Sequence, residues 1–464
     1  MKPLTQEQIN KALKIAIIEG ILGVTALQFF GGPYVTGYFL WLGADPLIMG
    51  LFGSIPFLAN FLQMLAPLYS NKLKSRKKYV FWLLWPSRTS FLTFAIVPFL
   101  PKHLRIPIAL SIFLYIQITA ALSVPAWQSW MADLVPSERL GRYFGLRNFI
   151  LGFVQIPVMF IAGSILDIFG KGFKSFAVLF SIAGVIGFMD GLILRFQDEP
   201  PYRPTESSLN PFKAIKFLLK YEYYKNFLSG FALWYFALGL IGPYINVMLI
   251  KELKFDYTTI GLLNAIGMLM GTIFQPFWGN AGDKYGFQYL LKLCVLMQAF
   301  AILLWAFALP SFLYILIVQI FIGIFITAGT GPLIFNTLIV VSPKELKTEA
   351  FAIFNGTVNF SLFLGSVLSG FIVSTFQNID LQIGLWHFSS IRIAFLISFI
   401  LRLIAAIRIS KLDIGPAEKV GFFYLVKEMY TTNIVPWMGK IWSIVRVRKS
   451  VNSQNKEQDD TNAS

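Results

Sequence analysis

Twelve stretches of this chain stay apolar for about the 20 residues a helix needs to cross a bilayer. They fall near 14–41, 46–69, 79–100, 106–131, 143–168 and 175–195, then near 226–250, 258–281, 287–308, 312–335, 348–376 and 389–409. We number them spans 1 to 12. The pattern predicts an all-α polytopic membrane protein, because a helix satisfies its own backbone hydrogen bonds in lipid.

Polar and turn residues punctuate the two sets of six in the same way. Pro33-Tyr34, Gly50, Gln63 and Asn71-Lys72 return as Pro243-Tyr244, Gly261, Gln275 and Asp283-Lys284, at offsets drifting from 210 to 212. Pro136, Glu138, Phe144 and Asn148 return as Pro343, Glu345, Phe351 and Asn355, all offset by 207. A repeat of this kind sets the architecture before any finer reading. It divides the chain into a first six-helix bundle (1–195), a linker (196–225), a second bundle (226–410) and a tail (411–464). In a membrane protein, two related halves point to a transporter that rocks about a central site. Gly31-Gly32-Pro33 and Gly242-Pro243 weaken spans 1 and 7 at matching places, as hinges or cavity walls.

The linker carries Pro200, Pro201, Pro204 and Pro211, which break helices. From Asn210 it reads as an amphipathic helix with Lys213, Lys216 and Lys220 on one face, suited to lie on the membrane surface. Amphipathic stretches at Phe422–Met429 and Trp437–Val447 lie in the tail, and Ser450–Ser464 is expected to be disordered. The first apolar run exceeds a signal-peptide core of ~7–15 residues, so it is expected to stay as an anchor.

Composition agrees. Of 464 residues, 56% are hydrophobic and only 13% charged, against about 25% in soluble proteins. The net charge of +16 does not signal nucleic acid, because the basic residues sit in short loops and tails between apolar runs. The loops carrying Lys72, Lys74, Arg76, Lys77 and Lys78, then Arg139 and Arg142, then Lys284, then Lys344 and Lys347 alternate with poorer ones. The positive-inside rule therefore puts both termini in the cytoplasm and the protein in the cytoplasmic (inner) membrane. Cys294 stands alone, which excludes disulfide scaffolds and cysteine metal sites. His103 and His387 are unpaired in loops, so a histidine metal site is not expected.

The segment Gly279-Asn280-Ala281-Gly282-Asp283-Lys284-Tyr285-Gly286 between spans 8 and 9 resembles the G-x-x-x-D-(R/K)-x-G loop of the major facilitator superfamily. Ala132 to Arg142, with Asp133, Arg139 and Arg142, looks like the acidic-to-arginine loop of many bacterial members. The resemblance covers residues 14 to about 410 and implies two pseudo-symmetric six-helix bundles. The first-half copy is degraded: Asn71 stands where the family has aspartate, and Lys74 replaces the second glycine. The resemblance implies a gate at the cytoplasmic side. Glycine permits a tight turn and close approach, and the aspartate can accept from a helix N-terminus or pair with an arginine. The gate set is Asn71, Lys72, Asp133, Arg139, Arg142, Asp190, Gly279, Asp283, Lys284, Gly286, Glu345 and Arg402. For each loop the alternative is a solvated turn that sets topology.

Charges inside spans are costly and mark function or a buried pair. Arg88 lies nine residues into span 3, roughly 13 Å deep. It stays protonated and needs an anion, from a substrate or a neighbouring helix. Glu19 in span 1 is followed by Gly20, Gly23 and Ala26, a small face for packing. It is either a proton-coupling carboxylate or a partner for a basic loop. Asp190 and Arg402 are 212 apart and are read as an inner charge network, with snorkelling as the alternative for Arg402. Gln28, Asn60, Gln117, Gln155, Gln298 and Asn359 are uncharged candidates for a polar cavity; interhelical bonding is the default for each.

The reading is a secondary transporter of a small solute working by alternating access, driven by protons or cations, since the chain has no phosphate loop. A transport-inactive solute sensor of the same fold is the alternative. No HExxH, no G-x-S-x-G and no histidine in a span speak for an enzyme. No cofactor is expected. The partners are the lipid bilayer and a solute, anionic or sugar-like if Arg88 meets it, and the chain is expected to act as a monomer.

Overall fold

The computed structural model describes residues 4–65, 75–136, 139–201, 211–343, 346–383, 386–412 and positions 424, 427, 428 and 431. Spans 1 to 6 run over Gln6–Trp41, Pro46–Leu62, Arg76–Thr89 with its continuation, Lys102–Leu134, Leu140–Ile168 and Phe173–Leu194. Spans 7 to 12 run over Glu222–Glu252, Tyr257–Tyr285, Phe287–Ala306, Phe312–Val341, Lys347–Thr375 and Ser390–Ser410. Helices stand at all twelve expected spans; ten are long and apolar enough to cross a membrane, whereas Pro46–Leu62 and Arg76–Thr89 are shorter among the described residues, and the linker forms a helix at Pro211–Leu218. Asn71, Lys72 and Glu345 lie outside the described residues, as does most of the tail.

Several spans are not plain α-helices, and local chemistry explains most of them. Span 1 breaks at Gly31, whose N–H returns to the Leu27 carbonyl, and Gly32 takes φ +57° before Pro33 restarts the helix. Span 7 turns at Leu240–Pro243, restarts at Tyr244–Val247 and ends in a π-helical stretch, Met248–Glu252. The two breaks fall where the repeat anticipated. Span 3 passes from α-helix to 3₁₀ turns over Ser90–Ala95 and Val97–Phe99. There Thr89, Ser90 and Thr93 donate to the carbonyls of Trp85, Pro86 and Ser90, which competes with the helical ladder. Span 10 carries a wide π-helical segment, Gly323–Thr330. A hairpin, Asp380–Ile383 against Trp386–Ser389, precedes span 12 and was not anticipated.

One core cluster runs across both halves, from Phe30 and Phe113 to Tyr244, Trp305 and Phe395, and the most extensive seams between the halves are span 2 against span 11 and span 5 against span 8. The first seam is tight because it is built on glycine. A Cβ on Gly50 would lie 2.5 Å from the Gly370 Cα, so any larger residue would force the spans apart.

Candidate functional site

Four charges meet inside the first half. Arg88 of span 3 pairs closely with Asp190 of span 6 and lies 3.8 Å from Glu19 of span 1. Arg147 of span 5 lies 3.7 Å from the other Glu19 oxygen, with its guanidinium 4.8 Å from the Trp127 ring. Glycine brings them together: a Cβ on Gly20 or Gly23 would come within 2.7 Å of Arg147 or Arg88. Glu19 is 4% exposed and Asp190 1%. Two arginines and two carboxylates cancel, which lets the cluster sit at depth. The pairing is unequal. Asp190 holds Arg88 tightly, whereas Glu19 faces two guanidinium groups beyond hydrogen-bond range, and its Oε2 has no hydrogen-bond partner among the described residues.

This arrangement corrects two expectations. Asp190 does not join Arg402 in an inner network, because it pairs within its own half. Arg402 does not snorkel: it is 1% exposed, and its guanidinium sits 4.5 Å from the Trp234 ring. Arg88 and Glu19 do not line the central cavities.

Those cavities lie where the halves meet. One, of about 270 Å³, is walled by spans 1, 2, 4 and 7, with Phe30, Phe52, Phe57, Phe113 and Gln117 among its lining. The other, of about 320 Å³, is walled by spans 1, 5, 7, 8, 9 and 10, with Gln28, Tyr34, Asn264, Trp305 and Gln319. Gly32, Gly242 and Asn246 border both, so the two hinges stand between two lobes. Gln28 donates to Gln155 at 2.9 Å, and Gln319 donates to Asn264 at 2.9 Å.

On the side away from the chain termini the halves are hydrogen-bonded to each other. Asp167, at the end of span 5, accepts from the Tyr257 and Thr258 backbone N–H groups at 3.2 and 2.7 Å and from the Thr258 hydroxyl at 2.6 Å. Asp256 already caps that helix through Thr259 N–H, so the first turn of span 8 meets two carboxylates. Tyr244 donates across the halves to the Pro46 carbonyl at 2.5 Å. Its repeat mate Tyr34 donates to Met159 within its own half at 2.5 Å. Among the described residues, every hydrogen bond between the halves lies at this end.

At the other end the ion pairs between described residues lie within each half. Asp133 meets Arg76 at 2.6 Å rather than a loop arginine, and Glu199 joins Arg76 at 3.5 Å. Arg139 and Arg142 are exposed and make no ion pair among the described residues. Lys284 pairs with Glu428 of the tail at 2.7 Å, and Asp283 is exposed without an ion pair among the described residues. Gly286 closes span 8 at φ +89°, whereas Gly279 has open space where a Cβ would sit.

Of the amide candidates, Gln28 and Gln117 line the cavities and Gln155 backs Gln28. Gln298 is a correction: it is fully buried and donates to the Thr330 hydroxyl. Asn359 bonds the Asn355 carbonyl of its own helix at 2.9 Å, and Asn60 is exposed; neither lines these cavities. Sequence reasoning gave no role to Arg147, Asp167, Asn246, Asn264 or Gln319. The repeat carried a signal for Asn246, which stands 210 residues after Thr36 of the same wall.

Comparison with known proteins agrees with this architecture. The model of the Major Facilitator Superfamily matches residues 15–250 and again 227–449. An uncharacterized MFS-type transporter of Methanocaldococcus jannaschii is 24% identical over 354 residues, 74% of this chain and 86% of that protein. The class H tetracycline resistance protein of Pasteurella multocida is 30% identical over 138 residues, 29% of this chain and 34% of that protein. Among solved structures, a nucleoside transporter superposes with TM-score 0.70 at 14% identity, covering 87% of this chain and 99% of its own. A D-xylose-proton symporter does so with TM-score 0.64 at 16% identity, covering 87% and 97%.

Proposed function

The chain belongs to the major facilitator superfamily, and from that premise we propose that this membrane solute transporter works by alternating access. The observation that carries the reading is the pair of central lobes walled by both halves, with the hydrogen bonds between the halves, among the described residues, gathered at the end away from the termini. Opening that end while closing the other would expose the same lobes to the opposite side. The termini face the cytoplasm in this reading, from the basic loops at that end, and the host membrane is the cell membrane.

Coupling is assigned to Glu19. A carboxylate held by two guanidinium groups, yet hydrogen-bonded by neither, can gain a proton without dismantling the tighter Arg88–Asp190 pair. The charge it then sheds frees Arg147 and Arg88 to shift, and both pack on span 1, which carries the first hinge. The test is uptake into proteoliposomes with and without a proton gradient. Gradient-driven accumulation by the native protein supports the reading; solute binding without flux would replace it with a sensor.

A further inference from the structure

We propose that the solute is uncharged and two-ended, with a ring or other apolar part for the first lobe and a hydroxyl- or amide-bearing part for the second. The inference rests on the transporter reading only in taking the lobes as the solute site.

Among the described residues, the two linings carry no Asp, Glu, Lys, Arg or His. Arg88, which the sequence offered for meeting an anion, is committed to Asp190 and Glu19 and lines neither lobe. An ion entering either lobe would leave water without gaining a counter-charge, which buried sites do not tolerate. Amides offer the opposite bargain: each presents donors and acceptors and adapts to a neutral hydroxyl or amide.

The lobes differ in what they offer. The first presents four phenylalanine rings, Phe30, Phe52, Phe57 and Phe113, with Gln117 as its one amide besides Asn246. The second presents Gln28, Asn264 and Gln319 with Tyr34 and Trp305. In this second lobe two amide pairs leave capacity to spare. Gln28 donates to Gln155 and Gln319 to Asn264, so the Gln28 and Gln319 oxygens and the Asn264 NH₂ remain for a ligand. Asn246 borders both lobes, and neither it nor Gln117 has a side-chain hydrogen bond among the described residues. Polar groups left open in a mostly apolar cavity are what orient a ligand. Asn246 is placed to meet the junction between the two ends of the solute.

The probes are para-nitrophenyl β-glucoside, which is neutral and two-ended, para-nitrophenyl β-glucuronide, the same shape with a carboxylate, and the cation benzyltrimethylammonium. Binding to the purified full-length protein is read by calorimetry. The expected result is binding of the glucoside, at least about tenfold weaker binding of both ions, and a loss of about tenfold on Asn246→Ala or Gln117→Ala. Asn246→Asp guards against a merely misfolded variant: it should keep its thermal unfolding profile and gain affinity for the cation. Equal or better binding of either ion, indifference to both alanine variants, or no binding of the glucoside overturns the proposal. Liposome flux of the same probes is scored separately. Flux of an ionic probe alone would leave the transporter standing and remove the neutral solute. Binding of the glucoside without flux would do the reverse.

Discussion

Asp167 of the first half accepts the Thr258 backbone N–H of the second at 2.7 Å, placing a carboxylate on the first turn of a helix it does not belong to. A charge-assisted bond of this kind is worth about 1.5–3 kcal/mol. Asp167→Ala should therefore weaken closure at the end away from the termini and populate the opposite state. Electron–electron distance measurements between labels at the facing ends of spans 5 and 8 should show a longer, broader distribution. An unchanged distribution would mean that the glycine seam alone holds the end shut.

The Gly50–Gly370 approach makes an independent prediction. A side chain at Gly50 cannot fit against the Gly370 backbone, and overpacking costs about 1–3 kcal/mol. Gly50→Leu should disfavour the state seen here. Labelling of a cysteine placed in the second lobe by an impermeant reagent should then rise from the side away from the termini. No change in labelling from either side would argue against it.

Glu19→Gln keeps the shape and removes the charge that balances Arg88 and Arg147. Breaking one partner out of a buried ionic cluster typically costs about 3–5 kcal/mol. The variant should unfold at lower temperature and lose gradient-driven accumulation, while retaining exchange of solute across the membrane. Intact accumulation would move coupling elsewhere, and Asp190 is then the carboxylate to test.

Arg402 offers the contrary case. Its Nε and Nη1 have no hydrogen-bond partner among the described residues, and its visible compensation is the Trp234 face. A cation–π contact contributes up to about 2 kcal/mol when desolvated, and an apolar side chain of similar length avoids the desolvation. Arg402→Met should leave thermal stability within about 1 kcal/mol of the native protein or above it. A large loss of stability would show that the guanidinium has a stronger partner.

The tail contact should respond to pH. Burial works to raise the Glu428 carboxyl, but hydrogen bonds from Lys284 and Tyr285 outweigh it and hold it below its ordinary value. A depressed carboxyl contributes above its free pKa and loses that contribution as pH falls through the lowered one. Proteolysis at the tail should quicken only in acid below the usual carboxylate range, and Glu428→Gln should remove that pH dependence.

The twelve spans and their pairing into halves were legible because both rest on local signals, run length and repeated turn residues. The hinges were legible for the same reason, since Gly and Pro act where they stand. The charge cluster was only half legible. Arg88, Glu19 and Asp190 each stood out as costly in lipid, but their choice of partner depends on how spans 1, 3, 5 and 6 pack. Arg147 was missed as a partner because it opens span 5, where an arginine reads as a topology signal. Asp167 was missed because a carboxylate near a span end looks solvated until another helix N-terminus arrives. The winding changes in spans 3 and 10 have no hydrophobic signature, since 3₁₀ and π segments keep an apolar run apolar.

The balance of charge around Glu19 also has an electrical side. With both carboxylates ionised the cluster carries no net charge, so the membrane potential does no net work on it. A proton on Glu19 would make it a unit positive charge, and moving such a charge fully across the membrane is worth ~2.3 kcal/mol per 100 mV. If Glu19 carries the coupling proton and the solute is neutral, that proton would be the voltage-sensitive cargo of the cycle. Inside-negative liposomes should then accumulate solute faster than unpolarised ones with the native protein, and at the same rate with Glu19→Gln.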